Sequence, residues 1–264
     1  PPPPAPPPPP PPPYRPLGPT TALVQSVQEI LVEQRAAGEI GNEIAMVNVA
    51  DAFGIELADR ARELFAEEGF EIVYDKSYPL GTPDLSPVMK GAKESGAKAF
   101  VAWSYPPDSF GLAEQAIIEN LDVKVYYSAV ATSFPAFSKA YGSKINNVLG
   151  AGGTNVDDPK IAEYRKAHEE ITGSVPDYWA SANTYAALQI LEQAIVGAGT
   201  LDKETVTQYI KDNTFDTVMG DLSFKNNFSN TFWSVGQWQD GVFRGVKGSN
   251  VDGAAPVRLK DGWK

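Results

Sequence analysis

The sequence predicts an α/β fold with an open, mostly parallel sheet covered by helices on both faces. Between residues 43 and 151, short apolar runs alternate with amphipathic segments of helical period. Parallel strands need crossover connections, and right-handed crossovers place helices on both faces of the sheet. Several predicted strands end in aromatic or small polar residues. Because open α/β sheets bind ligands outside the carboxyl ends of their strands, this edge is predicted to hold a small molecule.

The first two strand–helix units are predicted from the spacing of apolar residues and from the residues that begin and end each helix. Residues 43–49 form a short apolar run, and residues 53–69 carry apolar side chains at helical spacing and end on a glycine. Residues 71–78 are the second predicted strand. A helix near residues 85–95 follows, which Asp84 can cap and whose first turn contains Pro87.

Three further strands complete the predicted sheet. Residues 98–103 precede a helix near residues 109–121, and residues 123–127 precede a weaker helical segment near residues 134–141. Residues 146–150 form a fifth short strand. The pattern is therefore five strands joined by helical crossovers.

After Gly153 the pattern changes to helices without intervening strands. They are predicted at residues 157–171, 178–197 and 203–213, and they pack beside the sheet or form part of a second lobe. Residues 232–246 form two alternating runs around Asp240-Gly241, which predicts a hairpin.

The first sixteen residues include thirteen prolines. Such a run forms neither helix nor sheet, so residues 1–16 are predicted to be an extended or disordered tail outside the fold. It could be a ligand for proline-recognising domains. A linker, a cloning or translation artefact and an arbitrary fragment start are the alternatives.

Composition limits the function classes. The 264 residues are 42% hydrophobic and 21% charged, enough for one large domain or two lobes. The formal net charge is −11 without a basic cluster, which argues against nucleic acid as a partner. There is no apolar run of about 18 residues, so we expect no direct membrane insertion. The absence of cysteine excludes disulfides, thiolate metal sites and cysteine nucleophiles.

The sequence offers little for catalysis. The single histidine, His168, lies in a charged helical segment and reads as a solvent-facing residue. Neither a Gly-x-Ser-x-Gly elbow nor a phosphate-binding Gly-x-x-x-x-Gly-Lys loop occurs, and Gly150-Ala-Gly-Gly153 reads as a plain connection. We therefore predict a non-enzymatic protein without cofactor, metal or catalytic residues.

Several segments together resemble the solute-binding proteins of branched-chain amino acid type ABC transporters, which have the type I periplasmic binding protein fold. The resemblance extends over residues 14–264 and depends on the order and spacing of its motifs. These are Tyr14-Arg15, Ala50-Asp-Ala-Phe-Gly54, Phe100-Val-Ala-Trp103, the segments 177–188 and 215–224, and Gln237-Trp-Gln-Asp-Gly241.

The resemblance implies two lobes that close on a small solute by hinge motion and pass it to a membrane permease. It also implies a periplasmic or extracellular location, with a lipid anchor possible in a full-length protein; no signal segment is present here. Family members begin with βα units that supply most of one lobe, and that run is absent here. We therefore expect a near-complete C-terminal-lobe equivalent at residues 17–153, a helical part of the other lobe at 154–220, and a C-terminal hairpin and tail at 221–264.

Ligand contacts implied by the resemblance come from the loops after the strands and from one crossover. Aromatic side chains there would cover an apolar group, and serine hydroxyls would bond polar groups. Phe53 could instead be a helix-entry staple, Trp103 a buried strand terminus, and Tyr178 or Trp179 helix packing. The predicted residues are Phe53, Trp103, Ser104, Tyr105, Ser128, Ala129, Tyr178 and Trp179.

The solute class stays open at this point. Amino acid binders of the family tend to place an acidic residue after the strand that here ends at Tyr127, whereas residues 128–131 contain none. A free amino acid is therefore in doubt, and amides, ureas and small carboxylates remain. The alternatives to a transport subunit are a ligand-sensing receptor domain of the same fold, an enzyme with a doubly wound fold, and a truncated fragment that binds nothing.

Overall fold

The computed structural model describes residues 20–229 and 231–264. The proline-rich tail and Tyr14-Arg15 therefore lie outside the described residues. The elements, in chain order, are α1 (Thr20–Ala36), β1 (Glu43–Val49), α2 (Ala52–Glu67), β2 (Glu71–Tyr78), α3 (Ser86–Glu94), β3 (Ala99–Trp103), α4 (Pro106–Glu119), β4 (Val125–Ser128), α5 (Pro135–Tyr141), a short 3-10 helix (Gly142–Ile145), β5 (Leu149–Ala151), α6 (Pro159–Thr172), α7 (Ala180–Ala198), α8 (Lys203–Asp212), β6 (Phe215–Thr217), β7 (Gly220–Leu222), β8 (Phe224–Lys225), β9 (Phe228–Ser229), β10 (Phe232–Gln239) and β11 (Val242–Ser249).

Seven strands form one sheet in the order β11-β10-β5-β4-β3-β1-β2. The five strands from β2 to β5 are parallel, and β10 and β11 pair antiparallel at the other edge. The predicted α/β fold with a mostly parallel sheet is therefore confirmed. The predicted hairpin is also confirmed, because β10 and β11 pair antiparallel around Asp240 and Gly241. Both residues have positive φ, as the tight turn requires.

The central strands β1, β3 and β4 are buried on both faces, which explains why their sequences are nearly continuous apolar runs. On one face, Ile44, Met46 and Trp103 pack with α1 and α2 in one core. On the other, Val47 and Phe100 pack with α3, α4 and α5 in a second core. The alternation along each strand assigns each side chain to one of these cores.

A third core lies in the helical part of the chain. Buried side chains of α6, α7 and α8 pack with those of β6 and β7, including Ile161, Ala186, Ile190 and Phe215. The residues of α7 that belong to this core lie along one face of the helix. Other apolar residues of α7 are exposed, among them Leu188, with 60% of its surface accessible, and Val196, with 76%.

Helix α1 and the short strands β6 to β9 were not predicted from the sequence. Helix α4 begins at Pro106, three residues before its predicted start, because prolines fit the first turn of a helix. Helix α3 has Leu85 rather than Asp84 at its N-cap, although Asp84 accepts a hydrogen bond from the Ser86 amide at 2.9 Å. Within the described residues, no helix is both long enough and apolar enough to cross a bilayer.

Candidate functional site

A cavity of about 760 Å³ lies at the carboxyl edge of the parallel strands. The loops after four strands contribute to its wall: Phe53 follows β1, Tyr105 follows β3, Ala129 follows β4 and Gly152 follows β5. These four strands are neighbours in the sheet, so their ends meet at one place. The first turns of α1 and α7 and the start of β10 complete the wall.

Two aromatic rings form one side of the cavity. The Phe53 and Tyr105 rings are stacked, with centroids 4.9 Å apart and planes 20° apart. Phe53 stands in the first turn of α2, whose N-cap Asp51 accepts a hydrogen bond from the Gly54 amide at 2.9 Å. Burial and the neighbouring Asp51 carboxylate raise the pKa of the Tyr105 hydroxyl. The stack presents an apolar wall beside a carboxylate.

Trp179 stands on another side of the cavity, at the N-cap of α7. Its backbone amide donates to Asp177 at 2.7 Å, and its carbonyl accepts from the Asn183 side chain at 2.7 Å. The indole packs so closely on Gly152 that a Cβ there would lie 2.4 Å from the indole Cγ. Gly152 also has a φ of +93°. A glycine at this position therefore permits Trp179 to form the wall.

Trp103 lies in the core and does not line the cavity. It is fully buried, and its indole N–H points at the Met46 sulfur, 3.3 Å away. Its ring also packs edge-on against Tyr127. Because side chains alternate along β3, Trp103 shares the face of the sheet that α1 and α2 cover.

The two predicted serines and Tyr178 also lie behind the cavity. The Ser104 hydroxyl oxygen is 2.8 Å from that of Ser109 and 3.0 Å from that of Ser128, and all three serines are fully buried. Tyr178 packs against Trp238 and Phe243, and Arg165 stacks on its ring at 4.0 Å. The structure thus brings four predicted residues to the cavity wall: Phe53, Tyr105, Ala129 and Trp179.

The sequence analysis missed much of the polar lining. Asp51 and Glu56 carry the charges, and Asn183 and Thr184 come from α7. Asp51 carried a usable signal, since it directly precedes a helix as an N-cap residue does. Trp233 on β10 carried none, because it reaches the cavity only through pairing of β10 with β5.

A second cavity, of about 820 Å³, lies between α6, α7 and β6. Exposed apolar side chains such as Tyr185, Leu188 and Ile171 line it, together with His168. The imidazole Nδ1 of His168 lies 3.0 Å from the Ser174 carbonyl oxygen. This cavity does not touch the strand ends of the sheet, so the first cavity is the candidate site.

The described part of the chain contains no cluster of histidine, aspartate or glutamate that could hold a metal ion. Chemically, the cavity can enclose a small amphipathic molecule between aromatic rings and bond its polar groups through carboxylate, amide and hydroxyl groups.

A family profile described as "Periplasmic binding protein" matches residues 6–241. Among curated proteins, the chain is 26% identical over 184 residues to Leu/Ile/Val-binding protein homolog 1 of Brucella abortus, an alignment that covers 69% of this chain and 49% of that protein. It is 24% identical over 204 residues to an amino acid binding protein of Pseudomonas aeruginosa, covering 75% of this chain and 54% of that protein. The chain thus spans about half the length of these relatives.

Solved structures share the fold. An amino acid ABC transporter substrate-binding protein from Pseudomonas fluorescens superposes with a TM-score of 0.75 at 18% identity, covering 90% of this chain and 68% of that one. A leucine-, isoleucine-, valine-, threonine- and alanine-binding protein from Brucella ovis superposes with a TM-score of 0.73 at 16% identity. That superposition covers 89% of this chain and 65% of the Brucella ovis chain. The type I periplasmic binding protein fold predicted from the sequence is therefore confirmed.

Proposed function

The chain belongs to the periplasmic binding protein family, and on this premise we propose that it captures a small solute for an ABC importer. The solute is a small polar or amphipathic molecule such as an amino acid, an amide, a urea or a small carboxylate. The curated relatives are named for binding leucine, isoleucine and valine or amino acids, which supports this size class. The proposal includes a periplasmic location and a membrane permease as the receiving partner.

The observation that carries the proposal is the position of the Phe53–Tyr105 stack. It stands at the ends of neighbouring parallel strands, where open α/β sheets hold their ligands. Aromatic rings in such a cavity cover the apolar part of a ligand and release water from it. Trp179 faces the same space from α7, so an apolar group can be covered from two sides.

The polar groups of the solute would be bound by side chains beside this apolar wall. Asp51 and Glu56 offer carboxylates, and Asn183 and Thr184 offer an amide and a hydroxyl. Residues 128–131, where amino acid binders of the family tend to have an acidic residue that binds the amine, contain none. The proposed contacts therefore differ from the usual amine site, and they come from α2 and α7 instead.

Capture by closure is the proposed mechanism. The cavity lies between elements of the sheet and α7, whose buried residues belong to different cores. Movement of α7 toward the Phe53–Tyr105 stack would close the cavity over a solute and exclude water.

Thermal unfolding with a panel of amino acids, amides, ureas and small carboxylates tests the proposal. A ligand that binds only the folded state raises its stability by about 2.7 kcal/mol at 100 times its Kd. We expect at least one solute to raise the Tm of the native chain. The same solute should raise the Tm of Tyr185→Ala, which alters the other cavity, and have little effect on Phe53→Ala. If no solute raises the Tm of the native chain, the proposal is wrong.

A further inference from the structure

We propose, on the basis of the proposed function, that among the solutes of that class the cavity prefers those with a cationic nitrogen to those whose only charge is a carboxylate. The charged residues that line it, within the described chain, are the two acids Asp51 and Glu56, and no lysine or arginine side chain reaches the wall. A carboxylate ligand would meet like charge, whereas an ammonium ligand would meet opposite charge beside the aromatic faces of Phe53 and Tyr105.

Helix N-termini are the usual alternative means of binding an anion, because their first amide groups point at the ligand. The N-terminus of α2 reaches the cavity, but Asp51 already accepts a hydrogen bond from the Gly54 amide at 2.9 Å. Its charge also offsets the positive end of the helix dipole. The Asp51 side chain therefore occupies part of the anion site of α2.

Two other helices that begin near the cavity, α7 and α4, also have some of their first amides paired or replaced by proline. At α7, Asp177 accepts hydrogen bonds from the Trp179 amide at 2.7 Å and from the Ser181 amide at 3.2 Å. At α4, the first two positions are Pro106 and Pro107, which have no amide hydrogen. Both features reduce the number of amides that a carboxylate could use at these two termini.

Backbone amides at the ends of β4 and β5 are paired within the chain as well. Four amides of residues that line the cavity donate to backbone carbonyls at 3.0 to 3.2 Å, so a ligand oxygen finds none of them free. They are Ala129 to Ala102, Val130 to Ser104, Ala151 to Ala129 and Gly152 to Ser234. The first turns of α1, α2 and α7 also line the cavity, at Thr20, Phe53 and Ala180.

The side chains add acceptors to this wall. Asn183 donates from its amide nitrogen to the Trp179 carbonyl at 2.7 Å, which leaves its carbonyl oxygen to accept. The Tyr105 hydroxyl stands beside the Asp51 carboxylate, which draws the hydroxyl proton toward itself. The cavity therefore offers acceptors and negative charge to a ligand that donates hydrogen bonds.

Three ligands with the same branched skeleton test this selectivity: isopentylamine as the cation, isovaleramide as the neutral molecule and isovalerate as the anion. Calorimetric titration at pH 7 should give the tightest binding for the amine, with each step toward the anion costing on the order of tenfold in Kd. Raising the salt concentration should weaken amine binding more than amide binding, because salt screens exposed charges.

Glu56→Gln removes one cavity charge, and Glu67→Gln is the matched control on the same helix outside the cavity. We expect Glu56→Gln to weaken amine binding on the order of three- to tenfold and to leave amide binding unchanged. The control should leave both unchanged. Loss of amine preference in both variants alike would assign it to the overall charge of the protein and overturn the proposal.

Isovalerate binding as tight as isopentylamine binding would also overturn it. In that case solute binding itself stands and only the charge selectivity is wrong. If neither these ligands nor the solute panel bind, both the selectivity and the proposed function are wrong.

Discussion

The ring of Phe53 lies on that of Tyr105, 4.9 Å away between centroids, and joins the loop after β1 to the loop after β3. The two residues are 52 positions apart in the chain, yet their strands are neighbours in the sheet. Parallel pairing of β1 with β3 therefore creates the aromatic wall on which the proposed solute lies.

The stack predicts the effect of removing one of its two rings. Phe53→Ala should weaken solute binding about tenfold or more, because central aromatic contacts carry much of a binding energy. Calorimetric titration with the best solute of the panel measures it. The control, Tyr185→Ala, removes a half-exposed ring of the second cavity and should leave the affinity unchanged. Equal losses in the two variants would contradict the assignment of the site.

Gly152 should be intolerant of a side chain. A Cβ would lie 2.4 Å from the Trp179 ring, and the φ of +93° strains any residue with a Cβ. Gly152→Ala should lower the free energy of unfolding by about 1–3 kcal/mol and displace Trp179 from the cavity, which weakens solute binding. Urea unfolding and titration measure the two effects.

Gly199→Ala is the matched control for that substitution. Gly199 also has positive φ, at +64°, but a Cβ there would meet nothing within 4 Å. This variant should lose stability through backbone strain alone and bind solute normally. If Gly152→Ala also bound solute normally, Trp179 would not be part of the site.

Trp103 should be a structural residue. Because its indole is fully buried, Trp103→Ala should lower the free energy of unfolding by about 3–5 kcal/mol, as cavity-forming substitutions of large aromatic residues do. Leu201→Ala, at an 81% exposed position, should change it by less than about 0.5 kcal/mol. Urea unfolding compares the two. A loss below about 1 kcal/mol for Trp103→Ala would contradict its place in the core.

Lys260 predicts a dependence of stability on pH. Burial lowers the pKa of its ammonium group to about 8, although it donates hydrogen bonds to the Lys144 and Gly262 carbonyls. In the unfolded chain the pKa returns to its ordinary value of 10.5. The unfolded state therefore binds more protons between these two values, and the contribution of Lys260 to stability rises with pH across that interval.

Comparison with Lys260→Met isolates this contribution from the other groups that titrate above pH 8. Between pH 8 and pH 10.5, the free energy of unfolding of the native chain should rise by up to about 3 kcal/mol relative to that of the variant. Urea unfolding at several pH values measures the difference. A gap between the two proteins that stays constant with pH would contradict the lowered pKa.

Local signals predicted much of the fold. The bounds of β2 and the hairpin of β10 and β11 follow from alternation and from Asp240-Gly241, which are properties of neighbouring residues. The missed helix α1 also carried a signal, since Val24, Val27 and Leu31 stand at helical spacing and are buried.

The site was less predictable because it depends on contacts between distant segments. The sequence placed aromatic residues at strand ends, which was sufficient to find Phe53 and Tyr105. It did not reveal that Trp103 and Tyr105, two residues apart, are separated by the end of the strand, so that one is in the core and the other lines the cavity. The contribution of Trp233 required the pairing of β10 with β5.

The central claim is that the cavity at the strand ends binds a small solute on the Phe53–Tyr105 stack. The most direct measurement is calorimetric titration of the native chain and of a variant with both rings replaced by alanine, using the solute that most raises the Tm. We predict saturable binding with one site per chain in the native protein and at least a hundredfold weaker binding in the variant, about 2.7 kcal/mol in free energy. Equal affinities in the two proteins would contradict the claim.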